Sequence, residues 1–348
     1  MIETPKVTIY DVASKAGVSI STVSKVLSGS TRVNEVTREK VLSAVSQLNY
    51  VPSLAARGIA SGRTSIIGLV IPYTPLQLLY DPHLQGNLCG IEEVLNDHDY
   101  ALLIATANRE HESSSSYKRL LRSNYIDGAV VMETQESKSP DLHRQLSQQR
   151  YPWVILGYPV GMVPSYCVHA DDLQGAQRMT EYLISLGHRR IGMLQVKDSA
   201  YASEERVRGY RQMLAHKGLP YDENLVVDSG DWTEEAAYSS VSQLLERPDR
   251  PTAVFALNDR MALGVLQWAR EHKLRVPEDL TVVGFDDIPA AAAGFPPLTT
   301  IRQPSVEMGR QSVKLLFKLL EGGSVSSRVV VGTELVVRAS SGPPPKKV

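Results

Sequence analysis

The 348-residue sequence predicts a multidomain chain: an all-α head of three helices, then an α/β core of two lobes. Three observations predict it. Residues 8–48 carry apolar residues at helical spacing, broken by short turns. From Ser65 onward, strand-like apolar runs alternate with helical stretches in two successive series. Charge divides at the same place. Residues 1–63 hold eight Lys/Arg against four Asp/Glu, a net of +4, and the remainder holds 29 against 34, a net of −5. A basic head on an acidic body concentrates attraction for polyanions at one end of a chain that is nearly neutral overall.

The head begins at Thr8, which can cap a first helix with Asp11. Ile9, Val12, Ala13 and Ala16 line one face of that helix, and Gly17 ends it because glycine adopts the left-handed conformation cheaply. Ser19 caps a second helix whose buried face is Val23, Val26 and Leu27. Its opposite face carries Ile20, Ser21, Thr22, Ser24 and Lys25, a small, hydroxyl-rich and cationic surface of the kind that fits a DNA major groove. Periodicity alone leaves a purely structural helix pair equally open. Asn34 can cap a third helix, with Val36, Val41, Val45 and Leu48 closing a three-helix unit, and Pro52 turns the chain outward. Residues 53–64, SLAARGIASGRT, read as a short helix or a plain linker, since so short a helix containing Gly58 is marginal in water.

The Thr8–Gly29 stretch resembles the DNA-binding headpiece of the lactose-repressor (LacI/GalR) family, which opens with TxxDVAxxAGVSxxTVSxVLxG. Thr8, Asp11, Val12, Ala13, Ala16, Gly17, Val18, Ser19, Thr22, Val23, Ser24, Val26, Leu27 and Gly29 all fall on that pattern. The resemblance implies a helix-turn-helix head. It implies that Ile20, Ser21 and Lys25 read bases, Lys25 donating to guanine and Ile20 touching a thymine methyl. It also implies that Thr8, Ser19, Thr22, Ser24 and Arg32 hold phosphates, although each hydroxyl has a competing capping role. In that family the hinge folds on operator DNA and wedges an apolar side chain into the minor groove; Ile59 stands at that position here, after a glycine, a departure that bears on wedge geometry. One head covers few base pairs, so a homodimer on a near-palindromic double-stranded operator is expected.

The core opens with the continuous apolar run Ile66–Pro72, as in a strand buried on both faces. Helices are expected near 83–97, 113–124 and 140–149, between strands near 100–106, 128–132 and 153–156. A second series gives strands at 166–170, 190–195, 225–228, 252–256 and 280–284, with helices at 173–187, 204–217, 234–246 and 259–272. A strand, a helix at about 305–320 and a final strand close the chain, giving three crossings between lobes. The segments LISLGHRRIG (183–192), RVRGYRQML (206–214), NDRMALG (258–264), VVGFDD (282–287) and PPLTTIRQP (296–304) resemble that family's regulatory core and, through it, the periplasmic sugar-binding proteins. The expected division is a head over 1–50, a hinge over 51–64 and a core over 65–341. Lobe one takes about 65–163 and 303–326, lobe two about 164–302 and 327–341. Residues 342–348, GPPPKKV, read as a disordered tail.

Doubly wound lobes bind ligands at the carboxyl ends of their strands. Matching positions there are Arg206, Trp232, Asn258 and Asp286, whose forked donors, apolar ring face, amide and carboxylate suit a carbohydrate. Each has a plainer alternative: a helix charge for Arg206, a helix cap for Asn258, a turn for Asp286. Tyr73, Asp81 and His83 are candidates from lobe one. Many sugar-responsive members have an aspartate after the strand ending at Leu156, and this chain has Gly157, followed by Tyr158.

Walker, GxGxxG, GxSxG and HExxH motifs are missing, so no enzyme, cofactor or metal is expected. Cys89 and Cys167 lack metal-type spacing and fit reduced thiols. Neither a membrane-length apolar run nor an export signal is visible, which places the expected chain in the cytoplasm with no membrane partner. The expected function is a regulator, most simply a repressor, whose operator affinity answers to a small molecule, most simply a sugar. A free sugar-binding receptor is the alternative, and an exported receptor would lack the basic head.

Overall fold

A computed structural model describes residues 7–27, 32–50, 63–71, 79–106, 120, 125–132, 146, 148, 151–158, 166–197 and 201–346. The head holds α1 (Ile9–Ala16), α2 (Ile20–Leu27) and α3 (Glu35–Leu48). The Thr8 amide and hydroxyl each donate to Asp11 Oδ2 at 2.7 Å, which fastens the first turn of α1 and lowers the Asp11 carboxyl from its ordinary range. Gly17 sits at φ +64°, and its amide returns to the carbonyl of Ser14. The Ser19 hydroxyl accepts from the Thr22 amide, and Asn34 caps α3 from its side chain. Val12, Ala13, Val23, Val26, Val41, Ala44 and Tyr50 form the head's own small core.

The remaining chain builds two six-stranded sheets. The first takes β1 (Ile66–Ile71), β2 (Ala101–Thr106), β3 (Gly128–Met132), β4 (Trp153–Leu156), β5 (Tyr166–Ala170) and β11 (Arg328–Val331), in the order β11-β5-β4-β3-β1-β2. The second takes β6 (Ile191–Gln195), β7 (Val226–Asp228), β8 (Ala253–Ala256), β9 (Thr281–Asp286), β10 (Thr299–Arg302) and β12 (Glu334–Val336), in the order β12-β10-β9-β8-β6-β7. Every pairing among these strands is parallel except β10 with β12. The central strands β3, β6 and β8 are buried throughout, as their unbroken apolar runs require. The helices are α4 (Pro82–Asp97), α5 (Asp172–Ser185), α6 (Tyr201–His216), α7 (Glu234–Ser240), α8 (Ser242–Leu245), α9 (Asp259–Glu271), α10 (Pro289–Ala293) and α11 (Ser305–Leu320).

The structure corrects the expected lobe boundaries. Residues 166–170 belong to the first sheet, because β5 pairs with β4 in register Val154↔Tyr166 to Leu156↔Val168. Residues 328–331 belong there too, pairing with β5 rather than with the second sheet. Sheet membership is decided by hydrogen-bonded neighbours, and a strand–helix alternation in sequence carries no mark of which sheet a strand joins. The expected helix at 234–246 divides into α7 and α8. The helices expected near 113–124 and 140–149 lie largely outside the described residues. The tail reading fails at its start, where the Gly342 carbonyl accepts from His188 Nε2 at 2.9 Å and from the Thr281 hydroxyl at 3.1 Å. Pro344 packs over Gly187.

Among the described residues the chain passes between sheets three times: from β5 to α5, from β10 to α11, and from β11 to β12. The second passage is anchored by the crossing of α4 and α11, where the backbones touch. A Cβ on Gly90 would stand 1.8 Å from the Val306 carbonyl oxygen, and one on Gly309 would stand 2.1 Å from the Asn87 carbonyl oxygen. Gly90→Ala is therefore expected to force the helices apart and cost about 1–3 kcal/mol or more in urea unfolding. An unchanged unfolding midpoint would contradict the close crossing.

Candidate functional site

The carboxyl ends of both sheets face a cleft of about 690 Å³. Its lining includes Arg206, Trp232, Asn258 and Asp286 from the second lobe and Asp81 and His83 from the first, so one surface gathers six of the seven expected effector positions. The seventh, Tyr73, lies outside the described residues.

Arg206, on α6, is 4 % exposed. Its Nε donates to Asp172 Oδ1 at 2.8 Å, its Nη1 donates to the Leu257 carbonyl and stands 3.9 Å from Asp286 Oδ1, and its guanidinium stacks 3.8 Å from the Phe285 ring centroid. A buried cation needs partners of this kind, because desolvation of an unpaired charge costs several kcal/mol. The solvated-charge alternative is excluded by its burial. Asp286 closes β9 at φ +126° and Asp287 follows at φ +62°, a left-handed turn that non-glycine residues adopt at a cost of about 1–3 kcal/mol each. Arg302 and Arg338 brace that turn through Asp287 at 2.7 and 2.6 Å, and Gln303 Nε2 donates to Asp286 Oδ1 at 2.5 Å. Burial raises the Asp286 carboxyl above its ordinary range while the Arg206 guanidinium pulls it back.

Asn258 fills the capping role and lines the cleft as well. Its Oδ1 accepts from the Met261 amide at 2.7 Å, and its Nδ2 donates to the Trp232 carbonyl at 3.1 Å, fixing the loop that presents the indole. Asp81 caps α4 through the amides of His83 and Leu84. His83 Nδ1 meets the Ser305 hydroxyl at 2.8 Å, and its Nε2 meets Asn87 Nδ2 at 3.2 Å. Burial lowers its proton affinity, which keeps the ring neutral.

Four further cleft residues escaped the sequence reading. Asp172 is the counter-charge of Arg206, yet the Asp171-Asp172 pair reads in sequence as an ordinary helix start. Gln303 lies within the PPLTTIRQP segment without being singled out there, and Asn87 carries no pattern at all. His169 lies inside an apolar strand run, 2 % exposed; it stacks on Tyr158 at 4.1 Å and accepts from Arg328 Nε at 2.6 Å. Tyr158, beside Gly157, donates to the Ala170 carbonyl at 3.3 Å and stands beside Asp172. Together these side chains join the groups around all three passages between sheets: Asp172 at the first, Gln303 at the second, Arg328 on the strand before the third.

The second surface is on the head. Ile20, Ser21 and Lys25 project from α2, exposed, with Thr22 and Ser24 half-buried beside them. The Ser19 and Thr22 hydroxyls bond each other at 2.9 Å, so capping occupies part of their capacity. Thr8 and Arg32 are exposed at the edges of this face, and Ile59 lies outside the described residues.

Comparison with known proteins matches both parts of the chain. Residues 8–53 match the description "Bacterial regulatory proteins, lacI family", and residues 180–341 match "Periplasmic binding protein-like domain". The HTH-type transcriptional regulator CelR of Thermobifida fusca is 35% identical over 339 residues, covering 96% of this chain and 98% of CelR. The chain belongs to the lacI family of bacterial transcription regulators. Its relatives there include the transcriptional repressor CytR of Escherichia coli strain K12, 32% identical over 96% of both chains. Among solved structures, a lac repressor dimer bound to operator and the anti-inducer ONPF superimposes with a TM-score of 0.82 at 27% identity, covering 97% of this chain and 99% of that one. A CelR–cellobiose complex superimposes with a TM-score of 0.73 at 33% identity, covering 96% and 99%. As in those relatives, this family member joins a helix-turn-helix head to a two-sheet α/β core, and no described helix is long and apolar enough to cross a membrane.

The burial of Arg206 makes its removal costly. Arg206→Met is expected to lower stability by about 3–5 kcal/mol at pH 7, since it leaves Asp172 and Asp286 as buried charges without their cation. Burial already raises the Asp286 carboxyl and loss of the guanidinium raises it further, so the deficit shrinks as pH falls and protonation neutralises it. Chemical unfolding at pH 7 and pH 5 checks this; a deficit that grows on acidification would contradict it.

Proposed function

We propose that this lacI-family protein represses transcription as a homodimer on a near-palindromic operator, and that a carbohydrate held in the interlobe cleft alters its operator affinity. The observation that carries the proposal is the cleft itself: a buried Arg206 bonded to Asp172 and lying beside Asp286, with the Trp232 face and the Asn258 amide on the same surface. Indole faces pack on pyranose rings, and fixed amides and carboxylates sort their hydroxyls. CelR binds cellobiose in a core of this architecture, which supports a neutral saccharide. The action is binding rather than catalysis, carried out in the cytoplasm with no cofactor.

For DNA, Ile20, Ser21 and Lys25 are the base readers, with Thr8, Ser19, Thr22, Ser24 and Arg32 on phosphates and Ile59 as the minor-groove wedge. A dimer suits the exposed apolar groups of the core, Phe295 at 98 % exposure in the second lobe and Leu103 and Ile104 on edge strand β2 of the first. The lac repressor, a relative of the same fold, is a dimer on its operator.

A mobility-shift assay with DNA from upstream of the chain's own gene, with and without saccharides, tests the proposal; a free sugar receptor would leave the DNA unshifted. Lys25→Ala is expected to weaken binding to the specific site by about 1–3 kcal/mol and to change binding to random DNA far less. Equal losses on both would remove Lys25 from base reading.

A further inference from the structure

The first-lobe wall of the cleft holds a polar side chain with one group unused. Asn87, on α4, is 1 % exposed, and its Oδ1 is buried with no hydrogen-bond partner. Its other end is committed, since Nδ2 lies 3.2 Å from His83 Nε2. His83 Nδ1 in turn meets the Ser305 hydroxyl at 2.8 Å, which completes the second nitrogen of a neutral ring. A neutral imidazole that donates from Nδ1 has only a lone pair at Nε2. It therefore takes the amide N–H of Asn87 and leaves the amide oxygen as the spare acceptor.

The backbone that carries Asn87 is held in place: its carbonyl lies against Gly309, and Gly86 and Gly90 on the same helix lie against Ser305 and Val306. A buried acceptor without a donor costs free energy, and native proteins hold such groups chiefly where something arrives to satisfy them. Around it the same wall carries the apolar side chains of Leu84, Met132 and Met308 beside the polar groups of Asp81 and His83.

We infer that Asn87 is a specificity-determining contact of the effector site, its carboxamide oxygen accepting a hydrogen bond from one hydroxyl of the bound saccharide. The inference rests on the proposed carbohydrate reading of the cleft. His83 is the positioning residue: it fixes which end of the amide faces the ligand. Through Ser305, the same chain of bonds reaches the first turn of α11, immediately after the passage from the second sheet.

The test is calorimetric titration of wild type, Asn87→Leu and Asn87→Asp with cellobiose, lactose, trehalose, sucrose and glucose. A cooperative melting transition establishes that each variant is folded. For whichever sugar binds wild type most tightly, Asn87→Leu is expected to weaken binding about tenfold, the worth of one neutral hydrogen bond. Asn87→Asp, which keeps an acceptor in the same place, should recover most of that affinity. Among monodeoxy analogues of the sugar, one should lose affinity for wild type but not for Asn87→Leu. Wild-type affinity retained by Asn87→Leu overturns the assignment and leaves the carbohydrate reading standing. If Asn87→Asp binds no better than Asn87→Leu, the acceptor role is overturned. Silence of wild type toward every sugar overturns the carbohydrate reading and this inference with it.

Discussion

The core depends on one buried cation. Arg206 lies within the second lobe, and Asp172, which neutralises it, stands where the chain first leaves β5 of the first sheet. A guanidinium removed from water cannot be left unpaired. The pair therefore fixes the start of α5 relative to α6, where the chain enters the second lobe. Asp286 supplies the second carboxylate from the end of β9, and its strained turn is held by Arg302 and Arg338 through Asp287. The groups that brace the second-lobe wall are thus groups that line the cleft, and Asp172 among them stands at the first passage between sheets.

The head is built on a different scale. Seven buried side chains form its core, and its caps at Thr8, Ser19 and Asn34 each satisfy amides that a short helix leaves open. The residues proposed to read bases take no part in that core, so the surface of α2 is free to vary with the operator while Val12, Val23 and Val41 hold the frame. The contact of α11 with α4 places the second passage against the first lobe.

Much of this was legible in the sequence. The head helices follow from capping residues and apolar spacing. The core strands follow from unbroken apolar runs, and the resemblance to the lacI family placed Arg206, Trp232, Asn258 and Asp286 in one cleft before any geometry was known. What the sequence hid was pairing. Sheet membership of 166–170 and 328–331 depends on which neighbours supply hydrogen bonds, which strand periodicity does not encode. Asp172 carries the signature of a helix start, and only its 2.8 Å approach to Arg206 reveals its other role. Asn87 and His169 sit at positions that apolar residues could equally fill, so their polarity becomes meaningful only once the cavity beside them is seen. The tail misled because proline-rich composition says nothing of a single glycine carbonyl docking on His188 and Thr281.

The central proposal is that a saccharide held in the cleft built on the Arg206–Asp172 pair alters operator affinity. Operator affinity measured by fluorescence anisotropy across a saccharide titration, for wild type and for Asp172→Asn, tests it most directly. Asparagine keeps the size and an acceptor for Arg206 but removes the charge that neutralises the buried guanidinium. The account predicts that saccharide changes wild-type operator affinity about 5–150-fold, a coupling of about 1–3 kcal/mol, and that Asp172→Asn binds operator yet loses most of this response. A variant that responds to saccharide as fully as wild type would contradict it.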